Sequence, residues 1–502
     1  MPVTIAYPSS MQMRHSFPRL TLAAALILGL SLLATAPSAR QDTAATKVTS
    51  ITAADFFSAT KVWTAHLTMT AEAWQAMQPH YGSSGGDSRF LGPEGGRNGV
   101  AARQGIQFDY VHATLRLGDW TFRDVAVRYK GNGSFLRATR GGDDKISLKV
   151  DLNKYVKGQK LAGPTTLNFQ NNITDAGWMN EVLAYRLYRD AGALAPRTTY
   201  AQVHLTVEGQ DGTRFLGLYS LSENVDEAFF EERFGTRKGA ILKPSTQEVF
   251  TDWGSDWDVY NQSYDPKTDL TDAQKARVIA LGRLVSKAAD EEFAARIGDY
   301  VDLDDFARYF AVLVWLGNHD SLLQNGQNFY TWLHPDTNRM HFIAWDQDFS
   351  FGNNRASATN RGVEPASWPI ERPWSGSNRF LARLYSVEAF RARYFARLAE
   401  FSDRLFLPER FAAQVSEIAP VIRPSIERES ADWLRGFDQI AAGRSGIVPF
   451  TMERAAFVKA QLASGRSAAP PSRPTAVSEV SARRPELVPV ARSPRSATIH
   501  VP

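Results

Sequence analysis

VDLDDFARYFAVLVWLGNHDSLLQNGQNFYTWLHPDTNRMHFIAWDQDFSFG, residues 301–352, is the stretch from which the rest of the chain can be read. Its first part has helical spacing, with Phe306, Phe310, Leu313 and Val314 on one face. Gly317 and Asn318 end that helix, so Asp320 emerges just past a buried terminus. A polar loop follows, and then two apolar runs, NFYTWL and MHFIAWD, joined by HPDTNR at 334–339, the pattern of a β-hairpin. A symmetric register about that turn pairs residues whose numbers sum to roughly 673, which sets Asn328 almost opposite Trp345 and Asp346 at the open end of the hairpin. Asp320, Asn328 and Asp346 are therefore expected to converge in one small volume.

Two Asp and one Asn at one point are hard oxygen ligands, suited to Mg2+ or Mn2+ and poorly suited to zinc. Phosphotransferases of the kinase type use the same three groups: one Asp accepts or orients the attacking hydroxyl, while the Asn and a second Asp hold the metal that bridges the phosphates. On that reading Asp320 orients the nucleophile, Asn328 and Asp346 bind metal, and Asp348 is a second metal contact. Asn325 gives a literal D-x-x-x-x-N with Asp320 and is the second choice for the amide ligand. Taken singly, each of these residues is as well explained as a helix or turn cap. As a set at one hairpin end, directly after HFIAW, they point to chemistry.

The first half of the chain offers a matching partner. RYKGNGSF (128–135) runs from a strand into a glycine-rich turn, read as a hairpin that returns through RATRGGDD to KISLKVDL. Gly131 and Gly133 let backbone amides approach phosphate oxygens, Arg128 and Lys130 supply positive charge, and Asn132 and Ser134 of the same turn are counted with the nucleotide-binding residues. On the returning strand the alternation puts Lys145, Ser147 and Lys149 on one side, so one lysine can point at the phosphates. The pattern admits either, Lys149 as a catalytic residue or Lys145 as a nucleotide contact. Glu181, on a helix expected over 175–191 with Asp175 as cap and Gly192 as stop, is the carboxylate to hold such a lysine. Glu223, at the junction of the two halves, either borders the base of a nucleotide or simply begins a helix.

Across all 502 residues, 43% hydrophobic and 22% charged content supplies ample material for a large core. The absence of cysteine excludes disulfides, thiolate metal sites and cysteine nucleophiles. Six Arg and two Glu in residues 465–502 account for the whole formal net charge of +4, which leaves the body near neutral and argues against a nucleic-acid-binding face. Residues 1–39 follow the plan of a secretory signal peptide, Arg14 and Arg19 preceding an apolar run at 20–34 and the small residues TAPSA; an uncleaved membrane anchor is the alternative. No other segment reaches spanning length, so the expectation is an exported protein, periplasmic or extracellular, with no membrane span in its mature part. Residues 40–50 read as a linker and 464–502, rich in Pro, Ala and Arg, as a disordered tail. Between them, 51–223 is strand-rich, with period-two runs such as VWTAHLTMT, WTFRDVAVRYK and TYAQVHLTV, and 224–463 is helix-rich. The expected fold class is therefore α+β, a strand-rich N-terminal lobe and a helix-rich C-terminal lobe with a cleft between them.

At these same residues the sequence resembles the CotH kinase family, the spore-coat-protein-H group of atypical kinases. The landmarks are RYKGNGSF, KISLKVDLNKY, LNFQNNITDAGWMNEVLAYRLYRDAGALAPRTTYAQV, GLYSLSENVDEAFF with GAILKPS, and NHDSLLQNGQNFYTWL with HFIAWDQDFSFG, together covering roughly residues 55–462. The resemblance implies a divergent protein-kinase-like two-lobed fold, ATP with a divalent metal, and transfer to Ser or Thr of a protein acceptor that the sequence does not identify. It matches Asp320 to the family's catalytic Asp, Asn328 to the Asn of its N-Y-Y-L-Y stretch and Asp346 to the metal Asp of its W-D motif, and it puts Lys145 and Lys149 in its lysine-rich strand. This chain departs from the family's K-G-N-S-S, with Gly133 between Asn132 and Ser134. Two other readings stand beside it. One is a non-catalytic cell-envelope binding or scaffold protein, in which the acidic stretch 251–269 is a solvated or Ca2+-binding loop. The other is a glycan hydrolase using Asp346 and Asp348, whose carboxylates are too close in sequence to flank a scissile bond from different elements.

Overall fold

Alternation of apolar and polar residues builds the first half of the protein into a closed barrel. The computed structural model describes residues 51–81, 106–131, 133–141, 144–246, 248–353 and 364–465, all within one compact unit. After a short helix α1 (Ala53–Phe56) come β1 (Val62–Met69), α2 (Ala71–Met77), β2 (His80–Tyr81), β3 (Ile106–Gln107), β4 (Val111–Leu117), β5 (Trp120–Tyr129), α3 (Gly133–Arg140), β6 (Leu148–Asp151), β7 (Thr166–Gln170), α4 (Asn180–Asp190), β8 (Thr198–Val207) and β9 (Arg214–Glu223). Seven strands close in the order β1-β4-β5-β6-β7-β9-β8. Neighbours run antiparallel except at the seam, where β1 lies parallel to β8 from Val62↔Tyr200 to Met69↔Val207. Inward-facing side chains such as Ala65, Leu115, Val127, Val150, Leu167, Val203 and Leu221 fill the interior. The period of two then sends the alternate residues outward, and the register aligns Arg128, Lys149, Asn168 and Ser222 across β5, β6, β7 and β9 in one polar row.

The second half is helical around one small sheet. It comprises α5 (Glu227–Phe234), β10 (Ala240–Leu242), α6 (Trp257–Tyr264), α7 (Asp272–Lys287), α8 (Asp290–Tyr300), α9 (Leu303–Leu316), β11 (Phe329–Leu333), β12 (Met340–Ala344), α10 (Arg379–Ser386), α11 (Glu388–Arg404), α12 (Pro408–Glu429), α13 (Ala431–Ala441) and α14 (Ile447–Gly465). In α9 almost every residue from Asp305 to Leu316 is buried, so it is the central rod of the helical core. The Asp302 side chain accepts from the Asp305 N–H at its start, and Gly317 closes it in the left-handed conformation, φ 62°. Helix α4 leaves the barrel between β7 and β8 yet packs Leu183, Tyr185 and Tyr188 into this helical core. Strands β10, β11 and β12 form an antiparallel sheet covered by α5, with Phe230 stacked on Trp332 at 4.3 Å. No described helix is long and apolar enough to cross a membrane.

The mixed α+β class agrees with the sequence reading; several details do not. The strands of the first half close into a barrel because β1 and β8 meet, a neighbour relation that alternation cannot specify. The connection after RYK is no hairpin, since 133–140 wind into α3. The expected helix 175–191 begins at Asn180. Asp175 sits in a preceding turn, from which its carboxylate accepts from the backbone N–H groups of Gly177 (2.8 Å) and Asn180 (2.7 Å). The acidic stretch 251–269 contains helix α6, and Asp252 pairs with Lys287 there. The signal-peptide, linker and tail readings lie outside the described residues except for 464–465.

Candidate active site

The hairpin register places the first two residues. Phe329 pairs with Ala344 and Leu333 with Met340, and beyond the last pair the Trp345 N–H donates to the Asn328 carbonyl at 3.2 Å. Asn328 and Asp346 thus flank the open end of the hairpin. Both adopt the left-handed conformation, φ 61° and 54°, which Asn and Asp tolerate better than other side chains but which still costs on the order of 1 kcal/mol each. The Asp346 N–H donates to the Tyr185 hydroxyl at 2.9 Å, fixing the loop to α4.

Asp320 follows the end of α9 and is gripped by amides. Its Oδ1 accepts from Asn325 Nδ2 and Gln327 Nε2, both at 2.6 Å, and its Oδ2 accepts from Asn328 Nδ2 at 3.1 Å. Asn328 Nδ2 also donates to the Asp320 carbonyl at 2.7 Å. The amide nitrogen of Asn328 is committed to Asp320, which leaves its Oδ1 as the atom for a cation. Asn325, the second choice from sequence, is committed to Asp320 as well.

Asp320, Gln327, Asn328 and Asp346 line a cavity of ≈ 970 Å³ between the outer face of the barrel and the hairpin sheet, together with Arg128, Lys130, Gly131, Ser134, Lys149, Glu181 and Asp348. Thr174 donates its hydroxyl to Asp348 Oδ2, and Asn180 and Asn353 donate to the Asp348 carbonyl at 2.9 and 2.8 Å. Ser222 donates to Glu181 Oε1 at 2.7 Å. Lys130 Nζ donates to Gln170 Oε1 at 2.9 Å.

Burial dominates the electrostatics. It pushes the carboxyls of Asp346, Asp348 and Glu181 above their usual range, and mutual repulsion adds to the effect: Asp346 raises both Glu181 and Asp348, and Asp320 raises Asp346 and Asp348. Burial also lowers the Lys130 ammonium, with Lys243 next in effect, while Asp346 and Glu181 oppose the drop. Lys149 is brought down to about 8 by burial and then by Arg128 and Lys267. Carboxylates that repel one another in a cavity also open to cations make an all-oxygen site that fits a hard divalent ion. Among the described residues no three acidic or imidazole side chains stand close enough to enclose such an ion by themselves. Asp346, Asn328 Oδ1 and Asp348 would hold it only with phosphate or water oxygens completing the shell, which is the usual way Mg2+ is bound.

Two sequence expectations fail. Lys145 does not reach the cavity: its Nζ meets Glu429 Oε2 of α12 at 2.7 Å, both side chains buried, with the rings of Trp178, Tyr219 and Trp433 around it. It precedes β6, so the strand alternation does not govern where it points. Glu223 does not line this cavity either. It is 2% exposed and bridges Arg197 (2.6 Å) and Arg233 (2.7 Å), while its neighbours Asn224, Val225 and Asp226 line the cavity instead. The lysine whose charge bears on Glu181 is Lys130, and neither Lys145 nor Lys149 takes that place. Asn132 lies outside the described residues. Gln327, Thr174, Tyr185 and Lys243 belong to the site and were not singled out from sequence. Gln327 carried a local signal, as the residue beside Asn328 in the same polar loop.

A barrel that presents lysines and an opposing helical body that presents an Asp-Asn-Asp set define a mixed α+β protein with one cavity lined by both. Residues 127–458, more than half of the chain, match the family described as CotH kinase protein, and the chain belongs to that family. It is 22% identical over 314 residues to the inner spore coat protein H of Bacillus subtilis (strain 168), covering 60% of this chain and 78% of that protein. Among solved structures, the Helicobacter pylori proinflammatory kinase CtkA aligns with 63% of this chain and 95% of its own at 10% identity, with a TM-score of 0.25, a likeness too slight to define a shared fold.

Proposed function

We propose that the protein is a metal-dependent kinase that transfers the γ-phosphoryl group of ATP to a Ser or Thr hydroxyl of a protein acceptor. The observation that carries this is the convergence of Asp320, Asn328 and Asp346 across one cavity from Lys130 and Lys149. In this reading the barrel is an N-terminal lobe, the helical body a C-terminal lobe, and the nucleotide lies between them. Gly131 and the N-terminal turn of α3, with Arg128 and Ser134, receive phosphate oxygens. Lys130 and Lys149 neutralise their charge, and Glu181 keeps Lys130 oriented. Asn328 and Asp346, with Asp348 beside them, would hold a Mg2+ or Mn2+ ion, which would supply neutralisation of phosphate charge.

Asp320 orients the acceptor hydroxyl and takes its proton. The hydroxyl oxygen forms a bond to the γ-phosphorus, the bond from that phosphorus to the bridging oxygen breaks, and ADP leaves with the electron pair. The three amides on Asp320 aim its carboxylate, which is the preorganisation such a step requires. The spore-coat name of the relative and the signal-like residues 1–39 support placing the activity outside the cytoplasm.

The test is incubation of the purified protein with γ-labelled ATP, Mg2+ or Mn2+ and casein or a basic protein as acceptor. Wild-type protein is expected to transfer label, and Asp320→Ala and Asp346→Ala are expected not to. Equal labelling by all three would overturn the mechanism. Metal-dependent ATP binding without transfer by any of them would favour the scaffold reading.

A further inference from the structure

Asp320 stands past the end of α9 and Asp346 past the end of β12, on two separate segments, and their carboxylates repel. What ties those segments together lies behind the cavity. Asn318 and Gln347 are both 0% exposed, and neither lines it. Their side-chain amides carry a directed chain of three hydrogen bonds from one segment to the other. The Asp320 N–H donates to Asn318 Oδ1 at 3.1 Å, Asn318 Nδ2 donates to Gln347 Oε1 at 3.2 Å, and Gln347 Nε2 donates to the Trp345 carbonyl at 2.9 Å. The buried Ser350 hydroxyl adds a second donor to Gln347 Oε1 at 3.2 Å.

A side-chain amide donates and accepts at once, so a pair of them can grip an N–H on one segment and a C=O on the other. The carbonyl gripped here belongs to the peptide unit between Trp345 and Asp346, whose N–H donates to the Tyr185 hydroxyl. That peptide is therefore held at both ends, which fixes the left-handed backbone of Asp346. The same chain reaches the backbone N–H of Asp320, so the two acidic residues share one support.

Resting on the kinase reading above, we propose that Asn318 and Gln347 are positioning residues, whose amide bridge sets the separation of Asp320 and Asp346 without touching nucleotide or metal. Replacing a buried, paired amide also costs stability. Positioning is distinguished from that by coupling in kcat and by a local effect on the opposite segment.

The test compares wild type, Asn318→Ser, Gln347→Met and the double variant. Ser keeps an acceptor for the Asp320 N–H but is too short to reach Gln347. Each single variant is expected to lower kcat for transfer of label from γ-labelled ATP on the order of tenfold to a hundredfold. KM for ATP in Asn318→Ser should stay within about threefold. The double variant should fall no further than the worse single one, within about twofold, because the bridge is lost only once. Hydrogen exchange of the peptide bearing Asp320 should speed up on the order of tenfold in Gln347→Met, although the substitution lies in the other segment. Gln347→Asn takes the place of the Met variant if thermal unfolding shows that the latter does not fold. Unchanged kcat in a folded Gln347 variant, or losses that multiply in the double variant, overturn the bridge and leave the kinase reading intact. Wild type that transfers no label, with exchange still faster in Gln347→Met, overturns the kinase reading and keeps the bridge as a link between the segments. No transfer and unchanged exchange overturn both.

Discussion

Asp320 receives hydrogen bonds from Asn325, Gln327 and Asn328, so its role and its support can be separated by substitution. Asp320→Asn should lower kcat for transfer on the order of 10²–10⁴-fold, the range of a lost general base, while ATP affinity measured by calorimetry stays within about threefold. Gln327→Leu removes one of the three amides and leaves the carboxylate in place. It should lower kcat on the order of tenfold with KM for ATP unchanged, a split that a role in nucleotide binding would reverse. Asp320, Asn328 and Asp346 were legible in the sequence because Asp320 follows the end of a helix marked by its own spacing, and Asn328 and Asp346 flank the next hairpin, whose register follows from counting back from its turn. Thr174 and Tyr185 were not, because they reach Asp348 and Asp346 from a distant segment and only the packing of α4 brings them there. Lys145 and Lys149 could not be told apart, because the alternation that relates them holds only inside β6, which starts at Leu148.

Two short elements frame the cavity and make opposite demands on their residues. Gly131 has φ 108°, and a Cβ there would stand 2.7 Å from Ser134 Oγ; at Gly133 a Cβ meets nothing within 4 Å. Gly131→Ala should therefore cost on the order of 1–3 kcal/mol in denaturant unfolding and raise KM for ATP. Gly133→Ala, at the start of α3, should be neutral or slightly stabilising in the same assay. The Ser that the family carries at this position would fit here as well. The turn before α4 makes a second prediction. Burial holds the carboxyl of Asp175 up at about 6, against the backbone N–H groups of Asn180 and Gly177 that favour its charged form. The folded protein thus keeps a proton that the unfolded chain gives up near 3.8, and folding stability from this group is lost as pH rises through that window. Relative to Asp175→Asn, wild type should lose on the order of 2–3 kcal/mol between about pH 4 and pH 6.5 in denaturant midpoints. A flat difference between the two proteins would refute the assignment.

At the scale of the whole molecule, the barrel and the helical body are tied by a buried charge pair. Lys145 Nζ and Glu429 Oε2 meet at 2.7 Å, and the other oxygen of Glu429 accepts from the Leu218 N–H where β9 passes over Gly217. Lys145→Met leaves Glu429 buried without its cation and should cost about 3–5 kcal/mol in denaturant unfolding, with ATP affinity of the folded protein unchanged. A matching loss of ATP affinity would return Lys145 to the nucleotide site. Element types were largely readable from periodicity, because each face is specified locally by its own residues. Closure was not, because it depends on which edges meet. Strand β1 is synthesised first and its seam partner β8 much later, Val62 lying beside Tyr200. β9 then enters between β7 and β8, so the ring stays open until the chain reaches Glu223, and any fragment stopping short of it carries two unpaired borders, the kind of template on which chains join one another instead of themselves.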